Sequence, residues 1–185
     1  HRLPWPDGST VFEIDQEEVL AFKQSVLDTL GAVPRAARVA LAADLRQDWT
    51  DALIGAGFDP TRPTAWLAEG LVPYLPPAAE HELLATVNAH SAPGSALGYE
   101  VKHGVDPAGQ RDYPVYAAVR ERLGIDLLAL FSTDPRPDSP ADLDARGWDT
   151  AVHTPFDFAD RLGVGLRPAP DDALAANRWI LAVRS

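Results

Sequence analysis

Short apolar runs alternate with longer amphipathic stretches along this chain, and that alternation restricts its fold more than any other feature. Thr10 to Asp15 reads TVFEID, Arg38 to Leu45 reads RVALAADL, Thr64 to Glu69 reads TAWLAE and Ala96 to Val101 reads ALGYEV. The second run is apolar on both faces, as a strand inside a parallel sheet must be. Between the first two runs, Gln16 to Leu30 carries Val19, Leu20, Phe22, Val26, Leu27 and Leu30 near helical spacing, with Gly31 as the stop. Strand, helix, strand, helix in this order is the pattern of an α/β fold, a parallel sheet flanked by helices.

The same reading extends along the chain. A short helix covers Trp49 to Ala56, with Gly57 behind it. Pro76 and Pro77 stand where the first turn of a helix tolerates proline, and that helix runs to about His90. After the fourth strand the rhythm breaks. Tyr113 to Leu123 reads as helix, Leu127 to Ser132 as an ambiguous apolar run, and Asp134 to Pro140 as a proline-rich loop. Asp142 to Arg146 reads as a helix ended by Gly147, Asp149 to Thr154 as a strand, Phe156 to Leu162 as a helix and Trp179 to Val183 as a closing strand. The 185 residues suit a single domain with a packed core.

Composition removes several function classes. A net charge of −11 with no cluster of Lys and Arg argues against a nucleic-acid partner. No apolar run approaches the ~20 residues that span a bilayer, which argues against a membrane partner. The opening HRLPWPDGST lacks the basic-then-apolar pattern of a secretory signal, so the expected location is cytoplasmic. Cysteine is absent, which excludes disulfides and thiolate chemistry. Methionine is absent too, and the missing initiator predicts a piece of a longer protein. Only two of the 16 basic residues are lysines, Lys23 and Lys102, a bias that fits a GC-rich genome.

In open parallel sheets, ligands bind beyond the carboxyl ends of the strands. Asp15, Asp44 and Glu69 all fall at such ends and project toward one edge. A carboxylate there can accept hydrogen bonds from ribose hydroxyls, from an adenine amino group or from the ammonium of a methionyl group. The competing role is structural, because strand-end acids also cap the helices that follow. Glu100 lies near the end of the fourth strand, where it can face a cofactor or acceptor or join an ion pair at the core edge. His103 lies just past that strand; His81 and His90 read as solvent-facing. The histidines show no metal-ligand spacing, so no metal is expected. Gly163-Val164-Gly165 lacks the strand-to-helix setting of a dinucleotide fingerprint, and Gly55-Ala56-Gly57 fits a helix ending. Trp49, Trp66, Trp148 and Trp179 read as core.

With these residues in view, the chain resembles the leucine carboxyl methyltransferase superfamily, in particular its actinobacterial branch of S-adenosylmethionine-dependent methyltransferases. The phrases RLPWPDGSTVFEIDQEEVLAFK, VALAADLRQDW, GFDPTRPTAWLAEGLVPYLP and HSAPGS carry the likeness over Arg2 to Ser95. The C-terminal half matches loosely, through Gly147-Trp148 and NRWILAVR. The resemblance implies a Rossmann-like class I methyltransferase fold, with a seven-stranded sheet whose last strand runs antiparallel. It implies S-adenosyl-L-methionine as cofactor, Asp15 as the ribose-binding acid, Asp44-Leu45 as the adenine-contacting pair and Glu69 as the acid on the complete sheet's fourth strand. It also places that sheet's first strand, its glycine-rich loop and covering helices before His1, so the methyltransferase core of residues 1–185 is expected to be N-terminally incomplete.

The expected reaction is O-methylation of a small-molecule acceptor, with a carboxylate as one candidate. Residues 103–140 are expected to form the acceptor pocket or lid. A carboxylate acceptor is already ionised near pH 7 and needs no base, whereas a hydroxyl would benefit from one. Glu100 and His103 are the catalytic candidates. Two other readings stay open: a non-catalytic binding or assembly module that keeps the fold, and a nicotinamide-dependent oxidoreductase, against which the ADLR and AEG phrases count. A homodimer is compatible with the sequence, which carries no pattern that shows one.

Overall fold

The computed structural model describes residues 3–102, 113–132, 134–165, 167 and 173–185. The chain forms two compact units, His1–Pro60 and Thr61–Ser185.

In the first unit, β1 (Thr10–Asp15), α1 (Glu17–Thr29), β2 (Ala37–Ala42) and α2 (Thr50–Gly55) follow in order. β1 and β2 pair in parallel, from Thr10 opposite Ala37 to Asp15 opposite Ala42. Glu17 and Glu18 in the first turn of α1 complement the positive end of its dipole. Gly31, at φ 59°, ends the helix. Its amide donates to the Asp28 carbonyl at 3.0 Å, and Ala32's to that of Leu27 at 2.9 Å, a pairing that satisfies the last carbonyls. Leu20, Trp49, Leu53 and Phe58 form the buried core, and Phe12 meets Phe58 edge-on at 5.8 Å. Burying a leucine as fully as Leu53 is worth about 1.5–3 kcal/mol. Glu13 on β1 ties its neighbours together, accepting from Arg38 Nε of β2 at 2.8 Å and pairing with Lys23 of α1. Burial pushes the Glu13 carboxyl up, but the hydrogen bonds and positive charge of Lys23 and Arg38 outweigh it and leave the group below its ordinary value.

The expected strand through Leu45 stops at Ala42. The cause is a turn in which Gln47 donates its amide to the Asp44 carbonyl at 2.9 Å.

The second unit contains β3 (Ala65–Ala68), a 3-10 turn (Val72–Tyr74), α3 (Pro77–Ala89), β4 (Ala96–Lys102) and α4 (Pro114–Leu123). A second 3-10 turn (Leu127–Leu130), α5 (Ser139–Ala145), β5 (Trp148–His153), α6 (Pro155–Arg161), a third 3-10 turn (Ala173–Ala176) and β6 (Asn177–Arg184) complete it. The sheet order is β3-β4-β6-β5. β3 and β4 are parallel, and β6 runs antiparallel to both β4 and β5. The last strand is therefore the antiparallel one, as the resemblance implies. Leu97, Tyr99, Ile180 and Ala182 bury one face of the β4–β6 pair.

One expectation in this unit is overturned, and one open reading is resolved. Ser139 and Pro140 are not loop but open α5, whose N-cap Asp138 accepts the Ala141 amide at 3.2 Å. Proline is at no disadvantage in a first turn, where its missing N–H would go unused. The apolar run from Leu127 to Ser132, left open by its pattern, forms a 3-10 turn at Leu127–Leu130.

The segment before α5 is pinned from within. Arg136 donates to the fully buried Glu80 at 2.5 Å and to the carbonyls of Pro73 and Leu75 at 2.9 and 3.2 Å. Tyr99 donates its hydroxyl to Ser139 Oγ at 3.0 Å.

Candidate functional site

Asp15 is the last residue of β1, and parallel pairing carries β2 to the same edge. Ala43 donates its amide to the Asp15 carbonyl at 3.0 Å, so the chain entering Asp44 and Leu45 stays beside Asp15. The Asp15 side chain is half-buried and accepts the Gln16 amide through Oδ1 at 2.8 Å. Its Oδ2 takes no partner among the described residues and can accept a ligand hydroxyl.

Asp44 stands two residues past β2 and is more occupied. Arg46 donates its amide to Oδ1 at 3.0 Å, its Nε to both oxygens at 2.9 and 3.1 Å, and its Nη2 to Oδ2 at 2.6 Å. These side-chain and backbone hydrogen bonds from Arg46 lower the Asp44 carboxyl to about 2. The Arg46 side chain is mostly exposed. Leu45 is half-buried next to it.

None of the three strand-end acids caps a helix. α1, α2 and α3 begin at Gln16, Trp49 and Pro76 without a side-chain cap, and Asp48 supplies the acceptor for the Thr50 amide at the start of α2. At α2 the capping role that competes with ligand binding is thus filled by Asp48.

In the second unit, Glu69 follows the last residue of β3 and is exposed, with Gly70 at φ 63° turning the chain behind it. The register of Ala68 opposite Tyr99 brings Glu69 level with Glu100 on β4. Glu100 is half-buried opposite Trp179 on β6 and accepts its Nε1–H at 3.2 Å, a hydrogen bond rather than an ion pair. Tyr99, its neighbour, faces the opposite side and is buried. Burial raises the Tyr99 phenol well above its usual range, only partly offset by the bond to Ser139. His103 lies outside the described residues.

Sequence reasoning missed a group at the end of β4. Lys102 donates to the Tyr116 hydroxyl at 3.1 Å, with its ammonium 5.1 Å from the centre of the Phe131 ring and 5.9 Å from that of Tyr116. Tyr74 meets Phe131 at 4.9 Å. Burial raises the Tyr74 phenol, with Tyr116 and the negative charge of Glu100 adding to it. The available signal was that one of only two lysines terminates a strand whose carboxyl end belongs to the expected site.

Other features fall away. A cavity of about 230 Å³ lies at the amino ends of β1 and β2, between Gly8–Thr10 and Arg35–Ala37, far along the strands from Asp15. Gly163 ends α6 at φ 66°, with its amide on the Asp160 carbonyl, as a helix stop does. Gly57 does the same behind α2. Trp49 and Trp148 are buried as expected, while Trp66 and Trp179 are half-buried and hydrogen-bonded to Ser91 and Glu100. His81 is exposed; His90 is half-buried against the Thr86 carbonyl. No group of three metal-binding side chains occurs among the described residues, and no helix among them is long and apolar enough to cross a membrane.

Residues 1–88 match the sequence model described as leucine carboxyl methyltransferase. A Streptomyces coelicolor protein provisionally named as an S-adenosyl-L-methionine-dependent methyltransferase is 58% identical over 100% of this chain and 61% of its own length. A Mycolicibacterium gilvum protein with the same provisional name is 46% identical over 94% of this chain and 56% of its own. The chain thus spans about three-fifths of the length of the curated relatives it matches. Among solved structures, a DUF574 family protein from Streptomyces avermitilis aligns with TM-score 0.60 and 17% identity, over 96% of this chain and 66% of that one. A Thermobifida fusca protein provisionally described as a methyltransferase aligns with TM-score 0.56 and 18% identity, over 96% and 64%. At such identities these two bear on the fold alone, and the fold is the Rossmann-like one of class I methyltransferases. In sequence this chain is similar to the leucine carboxyl methyltransferase family over residues 1–88, and over nearly its whole length to actinobacterial proteins provisionally named as S-adenosyl-L-methionine-dependent methyltransferases.

Proposed function

We propose that this chain is the cofactor-binding core of an S-adenosyl-L-methionine-dependent O-methyltransferase that acts on a small-molecule carboxylate. The observation that carries the reading is Asp15, a strand-end carboxylate with one oxygen left open, standing beside the Asp44-Leu45 turn in the stretch most like the family. The donor set fits the cofactor: Asp15 accepts from the ribose hydroxyls, Asp44 accepts from the adenine amino group once Arg46 swings aside, and Leu45 packs on the base. Glu69, exposed and without a partner among the described residues, is the acid proposed for the methionyl ammonium.

Bound there, the cofactor would supply an electrophilic methyl group to an acceptor oxygen, with S-adenosylhomocysteine as the leaving product. The protein's task is to align that oxygen and exclude water. A carboxylate acceptor needs no base. For a hydroxyl acceptor, Glu100 is the proposed base, held in place by Trp179, and His103 is its neighbour in sequence. Residues 103–140 are the proposed acceptor pocket or lid of the methyltransferase core.

The test is to incubate the longest natural form with methyl-labelled cofactor and a panel of organic acids. Base-labile label in the organic extract supports carboxylate methylation. Label in base-stable ethers instead would overturn the carboxylate assignment, and no transfer to any acceptor class would overturn the enzymatic one.

A further inference from the structure

The group at the end of β4 is not used by the proposed cofactor site, and its chemistry is specific. Lys102 is half-buried, and no carboxylate pairs with its ammonium among the described residues. Removing an ammonium from bulk water without a counter-ion is costly, and the rings of Phe131 and Tyr116 return only part of that. The Tyr116 hydroxyl engages one of its three donors, which leaves two for another acceptor. Tyr116 is itself buried against Leu128, so it cannot follow the lysine into solvent. Phe131 sits in edge contact with Tyr116 at 6.4 Å and tilted contact with Tyr74 at 4.9 Å. The cation is thus presented on an aromatic wall, on the same face of β4 as Glu100, two residues earlier in the strand.

We infer that Lys102, fixed by Tyr116, binds the carboxylate of a planar aromatic acid whose ring lies against Phe131 and Tyr74. This deepens the methyltransferase reading and rests on it for the identity of the bound acid as acceptor. Flat apolar ligands gain from offset or edge contacts with aromatic side chains, and the paired carboxylate supplies a negative charge that no described residue brings to Lys102. The same arrangement discharges the product. Methylation converts the anion to a neutral ester, which no longer balances the ammonium. Lys102 is thus a specificity-determining residue that holds the anionic substrate and releases the neutral product.

The experiment uses the longest natural form of the protein, titrated calorimetrically with trans-cinnamate, methyl cinnamate and octanoate, each with and without S-adenosylhomocysteine. Cinnamate is expected to bind at least 10-fold more tightly than methyl cinnamate or octanoate. Lys102→Met is expected to weaken cinnamate at least 10-fold, Lys102→Arg to restore most of it, and both to leave S-adenosylhomocysteine binding unchanged. Circular dichroism of Lys102→Met checks that the variant folds, and Tyr116→Phe, which keeps the ring, gives a milder version of the same loss. Equal cinnamate affinity in wild type and Lys102→Met, preference for octanoate, or no binding of any acid would overturn the assignment. Cinnamate binding that needs Lys102 in a protein that ignores S-adenosylhomocysteine would keep the aromatic-acid site and remove the methyltransferase reading instead.

Discussion

Arg46 holds both carboxylate oxygens of Asp44, at 2.6 Å through Nη2 and 2.9 Å through Nε, across a turn only two residues long. The acid proposed for adenine is thus engaged by its own near neighbour. Because the Asp44 carboxyl is lowered from 3.8 to about 2, its contribution to stability is complete above pH 4 and is lost as pH falls toward 2. Arg46→Ala is expected to return the Asp44 carboxyl toward its ordinary value, read by its NMR titration. The variant should bind S-adenosylhomocysteine no more weakly than wild type, because the arginine competes with the ligand for the carboxylate.

Asp15 bears the larger share of the cofactor proposal. Two charge-assisted hydrogen bonds to a ribose are worth about 1.5–3 kcal/mol each before losses to desolvation. Asp15→Ala in the longest natural form is expected to weaken S-adenosylhomocysteine by on the order of 100-fold. Calorimetry reads the affinity, and an unchanged melting temperature shows that the loss is local.

Glu80 and Arg136 make the pin under the 3-10 turn that carries Tyr74. Arg136→Met leaves a fully buried carboxylate without its charge partner and is expected to cost about 3–5 kcal/mol in urea unfolding. The double variant Glu80→Leu with Arg136→Met should recover most of that loss, since the cost lies in the unpaired charge rather than in the missing bridge.

Tyr99 supplies an alkaline counterpart. Burial raises its phenol, so the folded chain holds that proton more firmly than the unfolded one. The resulting stability is present below the ordinary tyrosine value of about 10 and is lost as pH rises beyond it. Tyr99→Phe is expected to cost about 1 kcal/mol at pH 7 through the lost bond to Ser139. It should also flatten the fall in stability above pH 10, measured by denaturant unfolding across pH.

The strands were legible because each is a short apolar run closed by a turn, and β1, β4 and β6 lie within a few residues of the expected bounds. Strand order was not in the pattern: that β6 inserts between β4 and β5 follows from pairing across distant residues, such as Glu100 with Trp179. Asp15 and Asp44 were visible as strand-end acids, but Arg46's hold on Asp44 depends on a turn geometry that composition does not reveal. Pro140 misled because proline marks loops and first helical turns alike. Lys102, Tyr116 and Phe131 escaped notice because they are brought together from three separate elements in the half least like the family.

Calorimetric titration of S-adenosylhomocysteine into the longest natural form of the protein, with NADH as control, tests the central claim most directly. The account predicts micromolar binding of S-adenosylhomocysteine, lost on Asp15→Ala, and no heat from NADH. Binding of NADH with no response to S-adenosylhomocysteine would contradict it and turn the same strand-end carboxylate toward a nicotinamide ribose.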